Sequence, residues 1–128
     1  MDVAFDQENA KAALKMCQEN FQGRQLATGH SILVEAGSEI PRLGLSRKTA
    51  GLILLSIKDQ RCNGSVALFA VRPYLGKFEV HYVRDGQRRD SANSLEELRD
   101  GLDVLLEEVD SEQVAEVIAG YRASAATD

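Results

Sequence analysis

Apolar residues near the N-terminus recur at the spacing of one helical face, which predicts an amphipathic helix over residues 6–22. The stripe consists of Ala10, Ala13, Leu14, Cys17 and Phe21. Asp6 stands where an N-cap is expected, and Gly23 is placed to end the helix in a left-handed conformation. We therefore expect one helix before the first strand.

The last third of the chain predicts two more helices in succession. Ser94 and Glu97 have the spacing of a capping box, and an apolar stripe follows them. That stripe is Leu95, Leu98, Leu102, Leu105, Leu106 and Val109. Asp110 or Ser111 can cap the second helix. Its stripe is Val114, Val117, Ile118 and Tyr121. Residues 124–128 are small and polar, so we expect a disordered tail there.

Between the helices the pattern is typical of strands. Residues 32–35, with the sequence Ile-Leu-Val-Glu, lie between Gly29 and Gly37, which predicts the first strand. Residues 52–57 and 66–71 are short continuous apolar runs, and the turn signal Asn63-Gly64 lies between them. A hairpin of two central strands explains these two runs best.

A further strand is predicted after the hairpin, because apolar and mostly polar positions alternate there. The apolar positions are Phe78, Val80 and Tyr82, which indicates one buried face and one solvent face. The segment 38–50 is expected to be mostly loop, with Leu43 and Leu45 in a short edge strand.

These elements predict an α+β fold. An N-terminal helix is followed by an antiparallel meander of about four to five strands, and two C-terminal helices pack on the sheet. The 128 residues suit one domain, which we place at residues 1–123. No apolar stretch approaches the roughly 20 residues needed to cross a bilayer. The N-terminus lacks the features of a secretory signal, so a cytoplasmic location is expected and no membrane partner.

Charge divides the chain into two unequal parts. Residues 1–92 carry 13 Lys or Arg against 10 Asp or Glu, whereas residues 93–128 carry 2 against 10. The C-terminal helices are therefore strongly acidic and the remainder is mildly basic. Nucleic acid is an improbable partner, because such binding needs a dominant positive surface.

The acidic helices give the leading functional hypothesis. The chain is interpreted as a non-enzymatic interaction module, namely an adaptor, a dedicated chaperone or an inhibitor of a macromolecule, which uses these helices or a sheet edge. Its partner is expected to be another protein with a basic surface, and a homodimer is also open. The candidate partner-binding residues are Glu96, Asp100, Asp103, Glu107, Arg42, Arg47 and Lys48.

Two alternative functions stay open. The basic residues of loop 42–48 can bind a small anionic ligand or a nucleotide, although the spacing of a phosphate loop is absent. A small enzyme can instead use Cys62 or His81, but no partner for either residue is apparent in the sequence. Neither cysteine belongs to a C-x-x-C or zinc pattern, so no metal or other cofactor is expected.

Overall fold

The computed structural model describes residues 3–37, 52–58, 65–74 and 76–127. Its elements are α1 (Val3–Phe21), β1 (Ile32–Gly37), β2 (Leu52–Lys58), β3 (Ser65–Tyr74), β4 (Lys77–Tyr82), β5 (Gln87–Ala92), α2 (Leu95–Glu107) and α3 (Ser111–Thr127). This order confirms the predicted α+β arrangement. The edge strand predicted at Leu43 and Leu45 lies outside the described residues.

The five strands form one antiparallel sheet in the order β1-β2-β3-β4-β5. Strands that follow one another in the sequence are also neighbours in the sheet, as is common for consecutive strands. The registers place Val34, Leu55, Phe69 and Tyr82 in one row across four strands. A bulge in β3 leaves Leu68 without a partner in β2, and a second bulge in β5 leaves Arg89 without one in β4.

All three helices cover the same face of the sheet. The hydrophobic core combines strand residues from that face with one apolar stripe from each helix. The helix residues are Ala13, Cys17 and Phe21 of α1, Leu98, Leu102 and Leu106 of α2, and Val114, Val117 and Ile118 of α3. These residues belong to the predicted stripes, and the side chain of Tyr121, which the prediction for α3 also included, lies outside the described part of the chain. The opposite face, which we call the open face because none of the three helices covers it, carries Glu35, Ser56, Arg72, Glu79 and His81, none of which belongs to the core cluster. Leu52, Ser56 and Ala70 on this face are nevertheless buried.

Both C-terminal helices begin at a reciprocal cap. Ser94 Oγ accepts a hydrogen bond from the Glu97 amide at 3.1 Å, and the Glu97 carboxylate accepts one from the Asn93 amide at 2.8 Å. Asp110 caps α3 by accepting from the Gln113 amide at 2.8 Å. Each cap pairs amide groups that have no partner within the helix, so it fixes where the helix starts.

The ends of α1 and α3 differ from the sequence prediction. Asp6 is not the N-cap, because α1 already begins at Val3. No glycine or proline interrupts residues 3–6, and the preference for an N-cap is worth only about 1 kcal/mol. At the other end, α3 reaches Thr127 and so enters the segment predicted to be disordered. Alanines are frequent in those last residues, and alanine is the strongest helix former. Gly23 does follow α1 with a φ of +81°, as expected.

Strand β5 was not predicted. Its sequence, Gln87–Ala92, is polar, and Ala92 is its only buried residue. It forms by backbone pairing with β4, for example between Phe78 and Ala92. An edge strand of this kind needs little apolar periodicity, because its partner strand supplies the hydrogen bonds and charged side chains protect its outer edge.

Helix α2 approaches β5 closely at Gly101. A Cβ atom at this position would overlap the Asp90 carboxylate and lie 3.1 Å from Asp90 Cγ. Asp90 pairs with Val80 and therefore points to the side of the sheet that the helices cover. The missing side chain of Gly101 thus lets α2 pack against a half-buried charged residue.

We expect Gly101→Ala to stabilise the protein to different extents in two backgrounds. In an Asp90→Ala background it should stabilise the protein by about 1 kcal/mol, since alanine is a better helix former than glycine. With Asp90 present, the new methyl group displaces the carboxylate and removes most of that gain. Urea unfolding followed by circular dichroism measures both effects. Equal effects in the two backgrounds would show that the approach of Gly101 to Asp90 does not constrain the packing.

Candidate functional site

The outward face of α2 carries the acidic residues that the sequence singled out. Burial of Leu98, Leu102 and Leu106 fixes the rotation of the helix, so its polar side must face away from the sheet. We call the set Glu96, Asp100, Asp103 and Glu107 the acidic ridge. Its members follow one another by three or four residues and therefore share one face. The side chains of Asp100, Asp103 and Glu107 are 67%, 50% and 66% exposed.

Two arginines already contact the acidic ridge. Arg24, which follows α1, forms an ion pair with Asp103 and lies 3.8 Å from Glu107. Its guanidinium group also lies 5.8 Å from the centre of the Phe21 ring. Arg99 is 3.2 Å from the carboxylate of its neighbour Asp100. The ridge thus binds one guanidinium group from another part of the chain, a contact that the sequence did not reveal.

An exposed apolar residue stands among these acids. Val104 is 52% exposed and is the only large hydrophobic residue in the described part of the chain with that degree of exposure. It lies four residues after Asp100 and three before Glu107, so all three share one side of α2. Val104 lies outside the predicted apolar stripe of α2. This position in the sequence could have indicated that its side chain is exposed.

A cleft of about 210 Å³ separates the end of α1 from α2 beside the acidic ridge. Its lining is polar except for one aromatic ring. The lining residues are Asn20, Phe21, Arg24, Arg99, Asp100 and Asp103. The cleft brings two members of the ridge together with both of the arginines described above.

The open face of the sheet carries a second group of charged side chains, which we call the Glu79 cluster. The carboxylate of Glu79 lies 3.3 Å from His81 Nε2, 3.5 Å from Arg88 Nη1 and 3.9 Å from Arg72 Nη1. The strand register explains the convergence, because Arg72 is the cross-strand partner of Glu79 and Arg88 is that of His81. The sequence placed His81 on the solvent face of its strand, but it offered no sign of these partners.

A further carboxylate on the open face is held by hydroxyl groups. Glu35 accepts hydrogen bonds from Ser56 Oγ at 3.2 Å and from Ser65 Oγ at 3.0 Å. The three residues belong to β1, β2 and β3. Since Ser56 is fully buried, this contact satisfies a polar group inside the sheet.

Of the residues proposed for the alternative functions, only His81 lies in the described part of the chain. Arg42, Arg47 and Lys48 of the basic loop lie outside the described residues, and so does Cys62. His81 is described, and its other ring nitrogen, Nδ1, lies 3.3 Å from the Gly86 carbonyl oxygen. The described partners of His81 are therefore a carboxylate and a backbone carbonyl oxygen.

Cys17 is a core residue. It is completely buried on α1, and this burial raises the pKa of its thiol to about 12. Since the thiolate is the reactive form, a thiol that stays protonated at neutral pH is inert. The reading of Cys17 as a small packing residue is thereby supported.

Neither a metal centre nor a membrane span emerges from the described ranges. They contain no group of three or more His, Cys, Asp or Glu side chains placed to hold a metal ion. None of their helices combines the length and the apolar character that a bilayer crossing requires. Comparisons with protein-family models, with curated proteins and with solved structures find no match to this chain. A functional assignment therefore depends on the geometry alone.

The buried thiol of Cys17 makes two measurable predictions. In a Cys62→Ser variant, Ellman's reagent should leave Cys17 unmodified in the native protein and react with one thiol per chain in urea. Above a pH of about 8.5 the Cys17 thiol loses its proton in the unfolded chain but keeps it in the folded chain, so the free energy of unfolding falls as the pH rises. The stability lost per pH unit should be larger than in a Cys17→Ala variant by up to about 1.4 kcal/mol. Rapid modification of the native protein would contradict the buried position.

Proposed function

We propose that the chain is a non-enzymatic protein-interaction module that binds a basic partner protein on the outward face of α2. The observation that carries this proposal is the exposure of Val104 among the carboxylates of the acidic ridge. An apolar contact surrounded by charges of one sign suits a partner with an aliphatic side chain flanked by Lys or Arg. Adaptors, dedicated chaperones and inhibitors all work by such contacts.

The internal contact of Arg24 supports this proposal. One guanidinium group already binds Asp103 and approaches Glu107 while lying over Phe21. The same surface can therefore receive a basic side chain without rearrangement of the helix backbone. The ion pairs of Arg24 are with Asp103 and Glu107 and not with Glu96 or Asp100. Asp100 contacts Arg99 of its own helix and keeps 67% of its side chain exposed, and Glu96 is also exposed, so both can meet a partner's cations.

The sheet edges are less suitable as docking sites. The outer edge of β1 is partly occupied, since Ile32 exchanges backbone hydrogen bonds with Gly23 and Arg24 and the Val34 amide donates to the Gln22 side chain at 2.8 Å. The outer strand β5 is bulged and charged, which opposes the addition of another strand. The acidic ridge is therefore favoured over a sheet edge as the contact surface.

Charge reversal on the ridge tests the proposal. A variant with Glu96→Lys and Asp100→Lys leaves the Arg24 ion pairs intact. The matched control has Glu8→Lys and Glu112→Lys, which change the net charge equally at exposed positions of α1 and α3. Proteins captured from the native lysate by the wild-type chain should be lost with the ridge variant and kept by the control. The affinity of a purified partner should fall at least about tenfold and should decrease with salt.

Two outcomes would reject the proposed surface. In the first, the wild-type chain captures no protein in stoichiometric amount. In the second, the ridge variant and the control bind the captured proteins to the same extent. That result would mean that binding depends on net charge or on another surface. A Val104→Ser variant then separates the apolar contribution, because it should weaken binding without changing the salt dependence.

A further inference from the structure

The outer strand β5 contains the sequence Arg88-Arg89-Asp90-Ser91. We propose that Ser91 is a phosphorylation site for a protein kinase that selects its substrates by arginines two and three residues before the acceptor. Among the serines and threonines of the whole chain, Ser91 alone has arginine at both of those positions. The exposure, the backbone and the arginine contacts of β5 all support this assignment.

The acceptor and its two arginines are exposed together. Ser91 is exposed, and the side chains of Arg88 and Arg89 are 59% and 41% exposed. By contrast, Ser94 accepts a hydrogen bond from the Glu97 amide as the cap of α2 and has no arginine two or three residues before it. A kinase can therefore reach the Ser91 hydroxyl and both guanidinium groups in the folded chain.

The backbone around Ser91 is already extended, which is the form in which kinases bind the residues beside an acceptor. Strand β5 is the last strand of the sheet and pairs with β4 on one side only. An outer strand leaves one row of backbone groups without a partner strand. Ala92, the only buried residue of β5, follows the acceptor. Recognition of the preceding residues from the outer edge thus leaves the core closed.

The contacts of the two arginines within the protein can be replaced. Arg88 Nη1 lies 3.5 Å from the Glu79 carboxylate, whereas direct hydrogen bonds between charged groups measure about 2.7–2.9 Å. Arg89 pairs with the exposed carboxylate of Asp85 and lies 5.3 Å from the centre of the Tyr82 ring. Exposed ion pairs contribute little to stability, because water and salt screen them. Acidic groups of a kinase can therefore compete for both guanidinium groups.

The reaction transfers the γ-phosphoryl group of ATP to Ser91. The Ser91 hydroxyl oxygen bonds to the γ-phosphorus, the bond from that phosphorus to the oxygen that bridges it to the β-phosphorus breaks, and ADP leaves with the electron pair. The hydroxyl proton passes to a carboxylate of the kinase. Strand β5 carries two arginines and one aspartate, and a phosphoserine adds between about one and a half and two negative charges. Phosphorylation would therefore turn the net charge of this edge from positive to negative.

Phosphorylation of the purified full-length protein tests the proposal. The protein is incubated with MgATP and a kinase selective for this arginine pattern, and mass spectrometry gives the extent and the position of the modification. We expect one phosphoryl group per chain on Ser91 and none in Ser91→Ala. Arg88→Ala should slow the reaction at least about tenfold, because it removes a charged hydrogen-bonding group. Arg84→Ala, which removes an exposed arginine before β5, should leave the rate unchanged.

Three outcomes would overturn the assignment. The native protein stays unmodified while the same kinase phosphorylates a control peptide, the phosphoryl group is found on another hydroxyl, or Arg88→Ala and Arg84→Ala react at the same rate. Circular dichroism verifies that each variant is folded. Because no variant in this test changes the acidic ridge, its result is independent of whether the ridge binds a protein.

Discussion

The structure depends on the burial of one face of an antiparallel sheet by three amphipathic helices. The apolar stripes of α1, α2 and α3 pack in one core cluster against the same face of the meander. Each helix is held in a fixed rotation by its buried stripe. The outward positions of α2 and the open face of the sheet are consequently the two places where charged side chains collect.

These two surfaces differ in composition. The acidic ridge and its neighbours give α2 a negative outer face, whereas the Glu79 cluster places Arg72 and Arg88 around one carboxylate on the other side of the sheet. Both surfaces stand on regular elements, which keeps their side chains in place for recognition.

The sequence predicted the helices and strands whose buried residues recur at a regular spacing along the chain. It did not reveal contacts between side chains of different elements. The capping box at Ser94 and the stripes of α2 and α3 follow from local chemistry, and the structure confirms them. Strand β5 escaped prediction because its residues are polar and its stability comes from pairing with β4. Helical spacing revealed the acidic ridge. Its contact with Arg24 could not be predicted from local spacing, because Arg24 and Asp103 are 79 residues apart in the sequence.

The sequence by itself determined the α+β class, the positions of most helices and strands, and the acidic character of the C-terminal helices. These properties depend on the local spacing of apolar and charged residues, which is readable along the chain. Only the tertiary structure decided that Arg72, Glu79, His81 and Arg88 meet, since strand register and a bulge set which residues stand side by side. It likewise decided that Gly101 lies against Asp90 and that Val104 remains exposed. The physical reason is that contacts between distant segments depend on packing and register, which local periodicity does not encode.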